Sequence, residues 1–174
     1  MGIQFETDYN METLTAMAKG LRKTVRKKRS RRVHIFAAVV LILGLLTILA
    51  TTAGGEPLGA SGVVTLLAML VVILVSLFED KLNAWFARKR LLPGTEHAAA
   101  TFEEDGYVSA TGVTESRFSY AQIVAVAETA RYFVFALSSC HTQAYDKRTI
   151  RGGSVEDFRA FIAEKTGKLV ENIK

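Results

Sequence analysis

The chain has few of the residues on which disulfide-stabilised folds and common catalytic sites depend. It contains a single cysteine, Cys140, which excludes an intramolecular disulfide and a cysteine-based zinc site. It also has no phosphate-binding loop, no dinucleotide-type glycine motif, no HExxH pair and no nucleophile elbow. We therefore predict no catalytic residue, metal or cofactor, and an enzyme is the least supported class of function.

Charge is missing from two long segments, residues 35–53 and 60–78. At about 1.5 Å per helical residue, each covers roughly 28 Å, close to the ~30 Å hydrocarbon thickness of a bilayer. Neither segment has the polar stripe that a soluble core helix turns to solvent. The connector 54–59 is rich in Gly and Pro, which favours a tight turn. The two segments are therefore predicted to form a transmembrane helical hairpin, and we assign residues 34–79 to it.

Positive charge is concentrated in the flanks of this hairpin. Residues 22–32 hold eight Lys or Arg, four more follow the second segment, and the connector has none. Because Lys and Arg in short flanks stay in the cytoplasm, both chain termini are predicted to be cytoplasmic. The lack of ionisable residues inside the spans argues against a channel or transporter made by this chain alone.

A cleavable signal peptide is the alternative interpretation of the first apolar segment, since Thr51-Thr52-Ala53 resembles a small-residue cleavage site. However, the leader before it is long, the apolar run exceeds the usual 7–15 residues, and a second apolar segment follows at once. We therefore expect the first segment to be retained.

Residues 1–33 are predicted to form a cytosolic arm, with a short strand within residues 2–9 and an N-cap at Asn10. The helix that follows is amphipathic and runs into the first span. Its basic side chains have two interpretations: they bind anionic lipid headgroups, or they set the topology while the apolar side packs on the cytosolic domain. We favour the second. The candidate headgroup residues are Lys19, Arg22, Lys23, Arg26, Lys27 and Lys28.

Residues 80–95 are predicted to be a juxtamembrane linker, and residues 96–174 an α+β domain. Its short apolar segments are separated by turn residues, including Asp105-Gly106, which is typical of an antiparallel meander. Ser154 and Gly167 are expected to cap a C-terminal helix whose apolar stripe covers the sheet. The predicted strands are 98–103, 107–110, 116–120, 123–129, 132–137 and 142–145.

A set of short motifs carries a resemblance to a known family. They are Phe102, Glu104-Asp105-Gly106, Tyr120-x-x-Ile123, Glu128-Thr129, Tyr132-Phe133, Lys147-Arg148 and Phe158, with Phe5 and Asp8-Tyr9 near the N-terminus. This pattern resembles the YcxB-like family of small bacterial membrane proteins. The resemblance implies a bacterial cytoplasmic (inner) membrane location and a pleckstrin-homology-like domain, a partly open barrel closed by the C-terminal helix.

The chain departs from that family at two positions. Tyr120 stands where members often have Trp, and Asp146 stands where they often have Pro before Lys-Arg. The first change exchanges one aromatic residue for another. The second puts in doubt any role of that turn that depends on proline rigidity. The family implies architecture and no particular activity.

Three further segments contain residue types that occur in catalytic or binding sites. Adjacent residues of a strand point to opposite faces, so Cys140-His141 is a poor nucleophile–base pair. Glu103-Glu104-Asp105 is expected to be a solvated edge. Gly152-Gly153, with basic residues nearby, offers backbone amides to an anion, although a flexible loop before a helix is the favoured interpretation.

The sequence thus predicts a membrane-anchored binding or assembly module that presents its β domain at the inner leaflet. The predicted partner surface is Lys147, Arg148 and Arg151 together with an exposed sheet edge, where a partner adds a strand. Expected partners are the lipid bilayer, including anionic lipids, and an unidentified protein or a second copy of the chain, but not nucleic acid. The alternatives are an anionic-lipid or membrane-stress sensor and an accessory subunit of a transport or export complex.

Overall fold

Two long helices carry most of the exposed aliphatic surface of the chain. The computed structural model describes residues 2–55 and 59–173. The two helices are α2 (Lys27–Ala53) and α3 (Ala60–Leu77), and both are long and apolar enough to cross a membrane. No residue of either helix is buried within the chain. The predicted connector falls partly on residues 56–58, which lie outside the described residues.

The two apolar helices approach each other closely at Gly44. A Cβ on Gly44 would lie 2.8 Å from Sδ of Met69 and 3.6 Å from Cγ2 of Thr65. Small residues allow such an approach between helices. Gly44 of α2 and Thr65 of α3 therefore lie side by side, as an antiparallel helical hairpin predicts.

The N-terminal helix α1 (Met11–Lys23) begins where the sequence predicts. Asn10 Oδ1 accepts hydrogen bonds from the backbone N of Glu12 and Thr13 at 2.9 and 3.0 Å. However, α1 does not run directly into the first apolar helix, because a turn at residues 24–26 separates it from α2. This turn lets α1 follow the surface of the domain while α2 leaves it.

Among the described residues, eight strands form two four-stranded sheets, where the sequence predicted one antiparallel meander. The first sheet has the order β1-β2-β3-β4, and the second has the order β7-β6-β5-β8. All neighbours are antiparallel except β5 and β8, which are parallel. The strands are β1 (Ile3–Asp8), β2 (His97–Phe102), β3 (Tyr107–Thr111), β4 (Glu115–Phe118), β5 (Ala125–Glu128), β6 (Tyr132–Ala136), β7 (Thr142–Asp146) and β8 (Val170–Asn172).

The N-terminal strand belongs to the same structure as the C-terminal strands. β1 pairs with β2 from Ile3–Phe102 to Asp8–His97. On its other side, Gln4 and Arg151 exchange two backbone hydrogen bonds of 2.9 and 3.0 Å. The backbone N of Asp146, at the end of β7, donates to Thr7 Oγ1 at 3.1 Å. The two sheets therefore meet along β1, which closes one side of the domain.

The core between the sheets is rich in aromatic side chains. Helix α5 (Val155–Thr166) places Phe158 among them, with ring-centroid distances of 4.6 Å to Phe5, 4.8 Å to Phe102 and 5.0 Å to Phe133. The predicted caps of α5 are confirmed: Ser154 and Asp157 form a reciprocal capping box, and Gly167 ends the helix at φ 63°. The predicted covering helix thus contributes directly to the core.

Helix α4 (Glu79–Lys89) follows α3 and packs against α1. On its other side, α1 packs against β6 and β7, where Ala16 and Met17 cover a small cluster around Val134. Elements that precede the apolar hairpin and elements that follow it thus form a single domain. The hairpin is an insertion between two halves of that domain.

Candidate functional site

The predicted basic rim divides into one internal and two exposed side chains. Lys147 Nζ donates to Glu128 Oε1 at 2.7 Å, and its side chain is only 13% exposed. Arg148 and Arg151 are 64% and 69% exposed. Arg151 lies 3.5 Å from a Glu6 carboxylate oxygen. Of the three predicted residues, only Arg148 and Arg151 therefore have exposed side chains.

Glu128 holds three elements together. Its carboxylate accepts hydrogen bonds from Arg159 of α5 at 2.7 and 2.8 Å, and from Lys147 after β7. The Arg159 hydrogen bonds, and then the Lys147 hydrogen bond and charge, lower the pKa of Glu128 to about 2 although the side chain is buried. Arg159 and Lys147 are 31 and 19 residues away from Glu128 along the chain, so no local sequence pattern predicts these contacts.

Asp146, which stands in place of proline in a Pro-Lys-Arg run, makes contacts that hold this turn in place. Its backbone N–H donates to Thr7 Oγ1, and proline cannot make this bond. Its carboxylate accepts hydrogen bonds from Nη2 of Arg131 at 2.9 Å and Nη2 of Arg148 at 3.0 Å. Arg131 also pairs with Glu12 of α1. Asp146 therefore ties the turn to β1 and, through Arg131, to α1.

The six basic residues proposed for lipid headgroups have different surroundings. Arg22 is bound to Asp80, with Nε to Oδ1 at 2.7 Å and Nη2 to Oδ2 at 2.6 Å. Arg26 Nε donates to the carbonyl of Ser139. Lys19 is half-buried, whereas Lys23, Lys27 and Lys28 are exposed.

The apolar side of α1 does not face outward. Leu14 and Leu21 on this side are buried. A Cβ on Gly20 would lie 2.7 Å from Cγ1 of Val134, so α1 is seated directly on β6. This packing leaves no apolar stripe on α1 with which to lie in a membrane surface.

The open edge of the first sheet is β4, which pairs only with β3. Bonded and non-bonded pairs alternate in an antiparallel ladder. Thr111 N donates to Thr114 O at 2.7 Å, so Ser109–Ser116 and Tyr107–Phe118 are also bonded pairs.

The intervening residues of β4, Glu115 and Arg117, therefore turn their N–H and C=O groups away from β3. Both residues are exposed. In the part of the chain that the structure describes, no backbone partner is found for their N–H groups. This is the geometry to which another strand adds. Since β4 and β1 are opposite edges of the sheet, the open edge and the Arg148–Arg151 surface beside β1 are separate.

Gly152 and Gly153 allow β1 to pass close to the chain after β7. Gly152 has φ 85°, and a Cβ there would lie 2.7 Å from the carbonyl O of Gly2. The first turn of α5 already holds a carboxylate, because Asp157 accepts from Ser154 N and Oγ at 3.1 and 2.6 Å. A second anion would meet repulsion at this helix end.

Cys140 and His141 lie in the exposed turn between β6 and β7. Both donate their backbone N–H to Ser138 Oγ, at 3.2 and 3.0 Å. Across residues 2–55 and 59–173, no group of three or more His, Cys, Asp or Glu side chains is placed to hold a metal ion.

The family model of YcxB-like proteins matches residues 102–162 of the chain. The match extends from the end of β2 into α5, and it confirms the resemblance over this segment. It contains Phe102, Tyr120, Glu128, Lys147 and Phe158, while both apolar helices and α1 lie outside it. No curated protein and no solved structure matches the chain significantly.

Proposed function

We propose that this protein is a membrane-anchored binding or assembly module. In this proposal α2 and α3 span the cytoplasmic membrane of a bacterium, both chain termini are cytoplasmic, and the two-sheet domain is pleckstrin-homology-like. The support is the apolar surface of both helices, the basic residues at their domain-proximal ends, and the pair of sheets with a C-terminal helix in the core.

The observation that carries the proposal is the closure of the domain across the hairpin. β1 and α1 come before α2, whereas their partners β2 and α4 come after α3. The domain is therefore fixed to both apolar helices instead of hanging from one flexible linker. A module held in this way keeps its binding edge close to the leaflet, where tethering raises the effective concentration of a weak contact.

The proposed contact is strand addition to β4 by a protein partner. Main-chain hydrogen bonds supply affinity in this mode, and alternate side chains supply specificity. Glu115 and Arg117 offer the outward main-chain groups. The exposed pair Arg148 and Arg151 is the competing surface.

Arg117→Pro tests the edge, because it removes an outward N–H and leaves the bonded pairs with β3 in place. The matched control is Arg117→Ala, which removes the side chain and keeps the N–H. The tagged full-length protein is purified in mild detergent, and co-purifying proteins are quantified by mass spectrometry. A partner lost with Arg117→Pro and retained with Arg117→Ala supports strand addition.

Equal capture by the wild type and Arg117→Pro would contradict the proposed edge. Loss in both Arg117 variants would assign binding to the side chain instead. An Arg148→Glu/Arg151→Glu variant, measured in parallel, identifies the second surface if it alone abolishes capture. Point variants are preferable to deletion of residues 96–174, because that deletion would remove β2, the partner of β1, and β6 and β7, on which α1 packs.

A further inference from the structure

A groove of about 660 Å³ lies beside α1, between the first turns of α2 and the length of α4. Arg29 and Val33 line it from α2, Phe86 lines it from α4, and Arg90 lines it from the C-cap of α4. In each pair the residues are four apart, so they share one face of their helix. Apolar side chains of α1, including Met17, complete the wall.

The groove combines apolar surface with unpaired positive charge. Val33 and Phe86 are 54% and 52% exposed. Neither Arg29 nor Arg90 has an ion-pair partner among residues 2–55 and 59–173. Glu79 is the one carboxylate among the described lining residues, and Arg22 and His34 each approach it to 3.8 Å. The groove is therefore complementary to an anion that also carries apolar groups.

The position of the groove identifies the source of such a ligand. Val33 and Glu79 border the apolar stretches of α2 and α3, so one end of the groove opens at the proposed membrane surface. Measured along helix axes, Arg29 lies about 7 Å beyond His34, and Arg90 lies about 16 Å beyond Glu79. The headgroup layer of a bilayer extends several Å beyond the hydrocarbon on each side. Arg29 is thus close enough to the hydrocarbon boundary to reach phospholipid headgroups, and Arg90 lies further from that boundary along the chain.

We propose that this groove binds an anionic phospholipid of the leaflet next to the domain. The Arg29 guanidinium binds the phosphodiester, with Arg90 attracting the anionic headgroup, while Val33 and Phe86 contact the apolar part. Guanidinium groups suit this role because their planar fork matches phosphate oxygens. A free anion would leave Val33 and Phe86 unused, and a zwitterionic lipid would leave the arginine charge uncompensated. The inference rests on the proposed membrane insertion.

The test compares two double variants of the full-length protein with equal changes in charge. Arg29→Gln/Arg90→Gln alters the groove, whereas Arg31→Gln/Arg88→Gln alters exposed arginines on the same two helices that do not line it. Each protein, in neutral detergent, is titrated with phosphatidylglycerol or phosphatidylcholine, and bound lipid is counted by native mass spectrometry. We expect preferential binding of phosphatidylglycerol by the wild type and by the control variant. Binding by the groove variant should be roughly thirtyfold weaker.

Two results would overturn the lipid site: equal binding of both lipids by the wild type, or equal weakening in both double variants, which would make net charge the cause. A separate alkaline carbonate extraction of membranes tests insertion itself. A protein released by carbonate would contradict the proposed anchor, whereas a protein that stays in the membrane without selective lipid binding would contradict the groove alone.

Discussion

Arg22 and Asp80 join the two ends of the apolar hairpin through a bidentate ion pair, with N–O distances of 2.7 and 2.6 Å. Arg22 lies in the last turn of α1, before α2, and Asp80 lies in the first turn of α4, after α3. The side chains are 22% and 16% exposed, so water competes only partly for this contact. The pair fixes the domain to both apolar helices at once.

Asp80→Asn is expected to destabilise the domain by about 1–2 kcal/mol, because it removes a charge-assisted bidentate contact that is partly buried. The control is Lys23→Gln, because Lys23 is exposed and follows Arg22 directly in the chain. Thermal unfolding of the full-length protein in detergent, followed by near-UV circular dichroism, measures the difference. The charge exchange Arg22→Asp/Asp80→Arg should recover part of the loss, and no recovery would contradict a pairwise role.

Glu128 makes the stability of the domain depend on acid pH. Its pKa is about 2 in the fold against an ordinary value of 4.5, so its contribution is fully present above pH 4.5 and is lost as pH falls towards 2. The shift corresponds to about 3 kcal/mol. Glu128→Gln should therefore lower the free energy of unfolding at pH 7, and the gap from the wild type should narrow between pH 4.5 and 2.

The measurement for Glu128 is urea unfolding at several pH values in detergent. Glu156→Gln provides the control, because Glu156 is 76% exposed and lies 3.9 Å from the same Arg159. A gap between wild type and Glu128→Gln that stays constant down to pH 2 would contradict the proposed ion-pair contribution.

Gly20 marks the close contact of α1 with β6. Replacing Gly20 by alanine improves helix propensity by about 1 kcal/mol. However, the new Cβ would lie 2.7 Å from Cγ1 of Val134, and this buried side chain, 1% exposed, cannot move away. We expect Gly20→Ala to destabilise the domain by about 1–2 kcal/mol net. In a Val134→Ala background the same change should be neutral or stabilising, and additive effects in this double-mutant cycle would show that the clash is absent.

Cys140 is the single cysteine, and it is exposed on the domain. The proposed topology, with both termini cytoplasmic, predicts that a membrane-impermeant maleimide labels it in inverted membrane vesicles and not in intact spheroplasts. Gly54→Cys in a Cys140→Ser background places the thiol at the far end of α2, where φ is −73° and a Cβ fits. That variant should show the opposite pattern, and labelling of both proteins from one side would contradict the hairpin.

Features that depend on local pattern were predictable from the sequence. Uncharged runs located α2 and α3, Asn10 located the start of α1, and Ser154 with Asp157 located the start of α5. Each of these signals is contained within one element, so no knowledge of the fold is needed to read it.

Features that depend on distant partners were not predictable. The three residues of β8 carry no clear alternation, and only their parallel pairing with β5 makes them a strand. The sequence predicts that Lys147 is a surface cation, whereas in the fold Lys147 donates a hydrogen bond to Glu128. The same holds for the proposed lipid groove, since Arg29 and Arg90 line one groove only because the hairpin folds back.

Because the apolar hairpin is inserted between β1 and β2, the fold also constrains the order in which the chain assembles and whether the number of membrane crossings is odd or even. β1 is synthesised before α2, but β2 is synthesised after α3, so β1 has no partner strand until both apolar helices have left the ribosome. A chain that crossed the bilayer once would strand β1 and β2 on opposite sides, and the domain could not close. For the proposed membrane anchor, an even number of crossings is therefore a condition for folding, because only then do β1 and β2 lie on the same side of the bilayer.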